Sequence, residues 1–148
     1  MEQELVKEES LIAKKVSVSS PNLQDRPIFS WGLKVSDFKE LYYLTGQVDV
    51  GLDGVCRHPN DPIGQTQAIW DNLVEMLNQE GWSVHDVIRW DVTVTKEVDL
   101  DKHRDSLYQL WADVFKDVDQ KPSAGTLRVV HALARPDFMV EYEVVAAR

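Results

Sequence analysis

Two carboxylates near the end of the chain, Glu141 and Glu143, are the residues best placed by type and spacing to do chemistry. They alternate with apolar side chains between Phe138 and Val145, a period-two pattern that predicts a strand with both carboxylates on one face. A carboxylate held beside a water can act as a general base. The same alternation is also typical of a solvated strand face. The pattern alone leaves both interpretations open.

A second combination, Cys56 and His58, lies in a loop rich in Gly, Pro, Asn and Asp. It could form a thiolate–imidazole pair or supply two ligands to a metal. The sequence has no other cysteine, and its remaining histidines are scattered at His85, His103 and His131. We therefore expect a bystander thiol, no metal and no cofactor. The sequence also lacks a phosphate-binding glycine loop and a G-x-S-x-G elbow.

Composition and charge favour a single globular domain and oppose anionic partners. The chain has 148 residues and a formal net charge of −9, which opposes binding to nucleic acid or to anionic membranes because both require clustered Lys and Arg. The lone cysteine is typical of a reducing compartment. No apolar run approaches the ~18 residues of a spanning helix, and Met1–Glu9 lacks the features of a signal peptide. We expect a cytoplasmic protein.

The elements that would position these residues follow from hydrophobic periodicity. Strictly alternating residues predict a strand over Val87–Thr95. Apolar residues at helical spacing predict one helix ending near Gly81 and a second one capped by Asp99. The remaining predicted strands lie near Val16–Val18, Phe29–Val35, Glu40–Val50, Leu127–His131 and Phe138–Val145.

This order, β-β-β-α-β-α-β-β, predicts an α+β fold with a mixed six-stranded sheet and two helices packed on one face. We expect residues 1–14 to form an N-terminal extension and residues 15–148 to form the domain. The uncovered sheet face would be covered by self-association.

Segments in a defined order resemble the Rid (reactive intermediate deaminase, YjgF-like) superfamily over nearly the whole chain, from about Lys15 to Ala146. The strongest match is Gln65–Leu73, which is similar to the Q-T-x-x-x-L-x-N-L helix of the family. The other matches are Pro27–Leu33 for P-Y-S-Q-A-V, Leu44–Gln47 for V-S-G-Q, Val87–Thr95 for V-V-K-x-x-V-F-L-T, Asp105–Tyr108 for N-x-x-Y, Lys121–Thr126 for K/R-P-A-R-S, and Phe138–Glu143 for the I-E-I-E strand.

The resemblance implies a chorismate-mutase-like domain that assembles as a barrel-like homotrimer with clefts between subunits. Typical active members hydrolyse enamines and imines of 2-keto acids to the keto acid and ammonia. In them an arginine grips the substrate carboxylate and a glutamate orients or activates water. Carried over by motif, the catalytic residues would be Glu141 and Thr126. The substrate-binding residues would be Phe29, Thr45, Gly46, Asp105 and Ala124.

Three of these positions depart from the family pattern: Phe29 replaces a tyrosine, Asp105 an asparagine and Ala124 the arginine. Each change removes a donor or positive charge. An arginine–carboxylate contact contributes roughly 1.5–3 kcal/mol, so its loss predicts binding of a keto-acid imine that is about ten- to a hundredfold weaker. A non-standard substrate is expected.

Two further residues are candidates on their own chemistry. On an extended strand Ala124, Thr126 and Arg128 would point to the same side, so that Arg128 could bind an anion placed differently from that of the family. Alternatively Arg128 is solvated or pairs with a nearby carboxylate. Trp31, close to Phe29, would form an aromatic wall that suits a larger, flatter ligand.

Two hypotheses of different classes follow. The first is a Rid-like hydrolase or deaminase acting on a small enamine, imine or similar metabolite. The alternative is a non-catalytic trimer that binds a metabolite or a protein through the same clefts. Ribonuclease activity, claimed for some relatives, is disfavoured by the net charge of −9.

Overall fold

The computed structural model describes residues 13–148. The extension expected over residues 1–14 therefore lies outside the described residues, except for Ala13 and Lys14. Ala13 is buried, and Lys14 begins the first strand.

The α+β class is confirmed, and the order of elements is the predicted one. Within residues 13–148 there are seven strands and two α-helices: β6 lies within the strand predicted at Leu127–His131, and the two-residue strand β5 before it was not predicted. The elements are β1 Lys14–Val18, β2 Gly32–Ser36, β3 Leu41–Gln47, α1 Pro62–Gln79, β4 Val87–Thr95, α2 Leu100–Val114, β5 Ser123–Ala124, β6 Arg128–Val130 and β7 Val140–Ala147.

Both helices begin at a capping aspartate. Asp61 accepts a hydrogen bond from the first turn of α1, and Pro62 occupies the first helical position, where a missing N–H costs little. Asp99 caps α2 in the same way, as predicted. Helix α1 ends before Gly81, whose φ of +76° is left-handed and unstrained only for glycine. Neither helix of the described region is both long enough and apolar enough to cross a membrane.

The five-stranded sheet places β7 between β3 and β4, antiparallel to both. The other edge of β4 pairs in parallel with β5 and then with β6. Val92 pairs with Tyr142 on the core side, whereas the next pair, Thr93 and Glu141, points away from the core. We call this second side the open face. Its polar side chains are Arg89, Asp91, Thr93, Arg128, Glu141 and Glu143.

Both helices pack on the core side of the sheet, as predicted, and they meet at the Tyr142 hydroxyl. Trp111 of α2 donates its Nε1–H to this oxygen at 2.9 Å, and Thr66 Oγ1 of α1 lies 3.2 Å from it. Burial raises the pKa of Tyr142 well above its usual range, although these two hydrogen bonds oppose the shift. An aromatic cluster surrounds the ring: Trp70, Trp90, Trp111 and Phe115.

Gln65 connects α1 to two loops through one buried amide. Its Nε2 donates to the carbonyl oxygens of His58 at 3.0 Å and Asp137 at 2.9 Å, while its Oε1 accepts from the Met139 N–H at 2.9 Å. The side chain is 0% exposed. The Gln-Thr pair of the helix motif therefore has a structural role, since Gln65 holds the loops and Thr66 contacts Tyr142.

The β1–β2 hairpin forms its own two-stranded sheet, which differs from the single six-stranded sheet expected. One bridge, between Ser30 and Ser123, links it to the larger sheet. Ser30 donates its N–H to the Pro122 carbonyl at 3.0 Å and its hydroxyl to the Lys121 carbonyl. The bridge does not continue into a ladder, so β1 and β2 remain a separate sheet.

Candidate functional site

Glu141 lies on the open face, half-buried against β3. A Cβ built on Gly46 would stand 3.2 Å from the Glu141 carboxyl carbon, so the glycine leaves the space in which this carboxylate sits. Burial raises the pKa of Glu141, and the nearby charge of Glu143 raises it further. A carboxyl with a raised pKa is closer to neutrality and better suited to accept and return a proton.

Thr93 places Arg128 and Glu141 in one row across the open face. It pairs with Glu141 of β7 on one side and with Arg128 of β6 on the other. Two strand spacings, about 10 Å in total, separate the two backbones. A small ligand could therefore lie over Thr93, between a carboxylate and a guanidinium.

Asp91 already binds that guanidinium. Its carboxylate lies 3.6 Å from Arg128 Nη1 and 3.1 Å from Arg89 Nε, and a Cβ on Gly125 would overlap it. The Asp91 side chain is 13% exposed, whereas both arginines are about half exposed. Sequence reasoning did not single out Asp91. The sequence did contain an indication of this ion pair: Arg89 and Asp91 are two residues apart on a predicted strand, which places their side chains on one face.

The expectation that Ala124 and Arg128 share one side does not hold. Ala124 pairs with Trp90 and packs against the core, whereas Arg128 pairs with Thr93 on the open face. Between these two pairs the β5–β6 segment advances four residues, from Ala124 to Arg128, while β4 advances three, from Trp90 to Thr93. This extra residue is a bulge, and it reverses the alternation.

Phe29 and Trp31 form the predicted aromatic contact, with ring centroids 5.1 Å apart in an edge-to-face arrangement. They line a cavity of about 190 Å³ together with Ser17, Arg26 and Lys121. Because this cavity borders the segment that pairs with β5, three strand spacings, roughly 14 Å, separate it from β7 across the sheet, and its register with Val145 places it a further four residues along β7 from Glu141. A single chain does not bring the aromatic wall to the carboxylate.

The remaining predicted site residues are spread over the molecule. Thr45 is exposed beside Gly46 on β3, and Thr126 is exposed at the bulge. Asp105 is exposed on α2, on the helix side of the sheet and thus opposite to the open face. Within one chain the structure therefore groups Glu141 with Gly46 and, across Thr93, with Arg128. It does not add Asp105 or the aromatic pair to that group.

The thiol of Cys56 is not paired with His58, whose imidazole turns to Asp49 at 2.9 Å. Burial raises the pKa of Cys56, so the group is held as a neutral thiol. Among residues 13–148 no three His, Cys, Asp or Glu side chains are arranged to hold a metal ion.

No family model matches the sequence. No curated protein matches it significantly. Solved structures do match. YyfB from Yersinia pestis, described as a protein of the conserved Rid family, is 20% identical, with a TM-score of 0.80 over 90% of this chain and 98% of that one.

Two further structures agree. Rv2704 from Mycobacterium tuberculosis, described as a member of the YjgF/YER057c/UK114 family, is 22% identical, covers 91% of this chain and 100% of its own, and gives a TM-score of 0.58. A Thermotoga maritima protein, named as a proposed endoribonuclease, is 21% identical, with a TM-score of 0.60 over 73% of this chain and 79% of that one. At these identities the likeness establishes a shared fold.

Proposed function

We propose that this chain, which has the fold of the Rid (YjgF/YER057c/UK114) superfamily, is a hydrolase that deaminates a small enamine, imine or similar reactive metabolite. It would act as a homotrimer, in clefts between subunits. The supporting observation is Glu141, a half-buried carboxyl of raised pKa that fits against Gly46 on the sheet face opposite to both helices of residues 13–148.

The chemistry required of Glu141 is modest. It accepts a proton from water while the water oxygen adds to the carbon of the C=N bond. The proton then passes to the nitrogen, a second proton moves from the new hydroxyl to the same nitrogen, and the C–N bond breaks so that ammonia leaves as the carbonyl forms. One water is consumed and no oxidant or cofactor is needed. Gly46 and Thr126 would contact the reacting group.

A second subunit would complete the cleft. Phe29 and Trp31 lie three strand spacings, roughly 14 Å, from β7 and further still from Glu141, too far to enclose a small ligand bound there. Another copy packed on the open face could bring its own aromatic pair, its Thr45 or its Asp105 to this carboxylate.

The substrate class would differ from that of typical relatives, because the position of the family arginine is occupied by Ala124. Arg128 is the cation nearest in register to Glu141, and it would have to leave Asp91 to bind an anionic ligand. We therefore expect weak selection for a carboxylate, carried by Arg128, and appreciable turnover of substrates without one.

The decisive experiment measures ammonia release from a panel of freshly generated imines, with and without a carboxylate. Wild type is compared with Glu141→Gln and with Glu75→Gln, a matched change on the exposed side of α1. Light scattering follows the assembly, expected at three times the 17.0 kDa chain. The proposal requires loss of turnover in the first variant alone, with its assembly unchanged. Turnover that survives Glu141→Gln would contradict the proposal.

The alternative is a non-catalytic trimer that binds a metabolite or a protein through these clefts. The observation in its favour is that Arg128 is engaged by Asp91 while Ala124 offers no cation. Saturable binding of an imine or keto acid without ammonia release would support it. Ribonuclease activity, proposed for the Thermotoga relative, is poorly compatible with a net charge of −9.

A further inference from the structure

A separate groove lies on the helix side of the sheet, between α1 and the loop that precedes it. Its volume is about 520 Å³, within the ~300–1,000 Å³ typical of small-molecule sites. The polar side chains that line it are Asp49, Arg57, His58, Asp71 and Asn72. None of them belongs to the open face or to the Phe29–Trp31 cavity.

The centre of this groove is a carboxylate–imidazole dyad. Asp49 is only 1% exposed, and one of its oxygens, Oδ2, lies 2.9 Å from His58 Nδ1 and 2.8 Å from the His58 backbone nitrogen. A carboxylate has no proton to give, so Nδ1 carries the hydrogen of this bond. Nε2 is then the nitrogen that presents a lone pair, and within residues 13–148 it has no hydrogen-bond partner. The His58 side chain remains 42% exposed.

The surroundings hold the imidazole in place. Gln65 fixes the His58 carbonyl by a 3.0 Å hydrogen bond. The Cδ2 edge of the ring packs against the first turn of α1, where a Cβ on Gly64 would lie 3.0 Å away. The guanidinium of Arg57 lies over Gly51, at a place that any larger side chain would occupy. A cation and an oriented imidazole thus border the same groove.

We propose that this groove is a second reaction site, in which the Asp49–His58 dyad acts as a general base in the hydrolysis of small acyl esters. The dyad has the two parts that such a base needs: a ring nitrogen able to take a proton from water, and a buried carboxylate that sets the tautomer and stabilises the imidazolium. Arg57 and Asn72 supply donors for the charge that develops on the carbonyl oxygen.

The reaction balances with water as the only co-reactant. His58 Nε2 takes a proton from water while the water oxygen bonds to the ester carbonyl carbon. The tetrahedral intermediate collapses by breaking the bond to the alkoxy or aryloxy oxygen, which leaves with its electron pair. The products are a carboxylic acid and an alcohol or phenol, and the imidazolium returns its proton to the leaving oxygen or to solvent.

The test uses the full chain and 4-nitrophenyl acetate, with release of 4-nitrophenolate followed by absorbance. His58→Gln retains an amide N–H for Asp49 and should lower the protein-dependent rate by roughly a hundredfold, the lower end of what a positioned general base contributes. His85→Gln is the matched control, since it removes an exposed imidazole with no carboxylate anchor. Equal small losses in the two variants would mean ordinary surface imidazole reactivity and would overturn the proposal.

A second variant keeps the proposal testable if His58→Gln does not fold. Ala68→Leu adds volume to the groove from α1 and changes no group of the dyad, and it should slow hydrolysis at least tenfold; an unchanged rate would also overturn the proposal. Asp49 is a positioning residue. Asp49→Asn should lower the rate together with the fraction of His58 that carries its proton on Nδ1, measured by long-range ¹H–¹⁵N correlation spectra. A shifted tautomer with an unchanged rate would contradict the role of the dyad.

Discussion

The carboxyl carbon of Glu141 lies where a methyl group on Gly46 would come within 3.2 Å of it. The two residues belong to neighbouring strands, and the missing side chain of Gly46 is the space that the carboxylate uses. Gly46→Ala therefore tests the site without altering any charged group.

Gly46→Ala should lower ammonia release by about tenfold, because a displacement of a catalytic group by a fraction of an ångström misaligns it with the water. Stability should stay the same or rise slightly, since alanine loses less backbone entropy than glycine in a strand. The measurements are imine turnover and the thermal midpoint. Lower activity with an unchanged midpoint is expected, and full activity would mean that the close approach is irrelevant to function.

The rate should depend on pH through Glu141. Protonated Glu141 cannot accept a proton, and because burial and Glu143 raise its pKa, the rate should decline on acidification at a pH above the ordinary glutamate value of roughly 4.3. Glu143→Gln removes the like charge, so the acidic limb of kcat/KM should move to lower pH. A limb that stays in place would show that Glu143 does not act on Glu141.

Stability should respond to the same carboxyl with a defined sign. A group whose pKa is higher in the folded than in the unfolded state contributes stability below its unfolded pKa and loses it as pH rises through the folded pKa. Glu141→Gln should therefore be more stable than wild type at pH 7, with the difference vanishing under acidic conditions. Urea denaturation of wild type and Glu141→Gln across pH measures this difference.

Arg128 and Arg89 provide a matched pair for substrate selection. Both contact Asp91 and both are about half exposed, but only Arg128 shares a row with Glu141 through Thr93. Arg128→Gln should raise KM for a carboxylate-bearing imine by less than about tenfold, below the value of a full charge-assisted contact, because Arg128 is half exposed and is shared with Asp91. It should leave KM for a neutral imine unchanged, and Arg89→Gln should affect neither. If the two variants have equal effects, both arginines act by stabilising the Asp91 carboxylate and Arg128 does not select the substrate.

Gln65 should prove to be a stability residue. Gln65→Leu leaves the His58 and Asp137 carbonyls and the Met139 N–H without their partner, which should cost about 3 kcal/mol of unfolding free energy. Gln67→Leu is the control, since Gln67 is exposed and its amide bonds only to Asp71. The free energy of unfolding in urea distinguishes them. A small effect at Gln65 would mean that the two loops find other partners.

The sequence predicted best where a period repeats. Strand β4 has the predicted bounds, Val87–Thr95, because alternating burial on a central strand imposes a period of two. The helices followed from apolar spacing and from Asp99 as a cap. Motif order led to the fold even though no family model matches the sequence.

Contacts that depend on irregular backbone were not predictable in this way. The bulge between Ala124 and Arg128 reverses a face, and although Gly125 is a residue type that often marks a bulge, it does not fix where the extra residue lies. The Asp49–His58 dyad joins residues nine apart across a loop without periodicity. The separation of the β1–β2 hairpin from the larger sheet likewise has no periodic signal in the sequence.

The distribution of tryptophans has a practical consequence. Four of the five, Trp70, Trp82, Trp90 and Trp111, are at most 6% exposed, whereas Trp31 is 42% exposed at its cavity beside Phe29. A water-soluble quencher therefore reaches one indole in the folded chain. Tryptophan fluorescence can therefore report binding at this cavity. A ligand or a second subunit that covers the Phe29–Trp31 wall will shield Trp31 from quenching by iodide, while the fluorescence of the four buried indoles stays constant and serves as the reference.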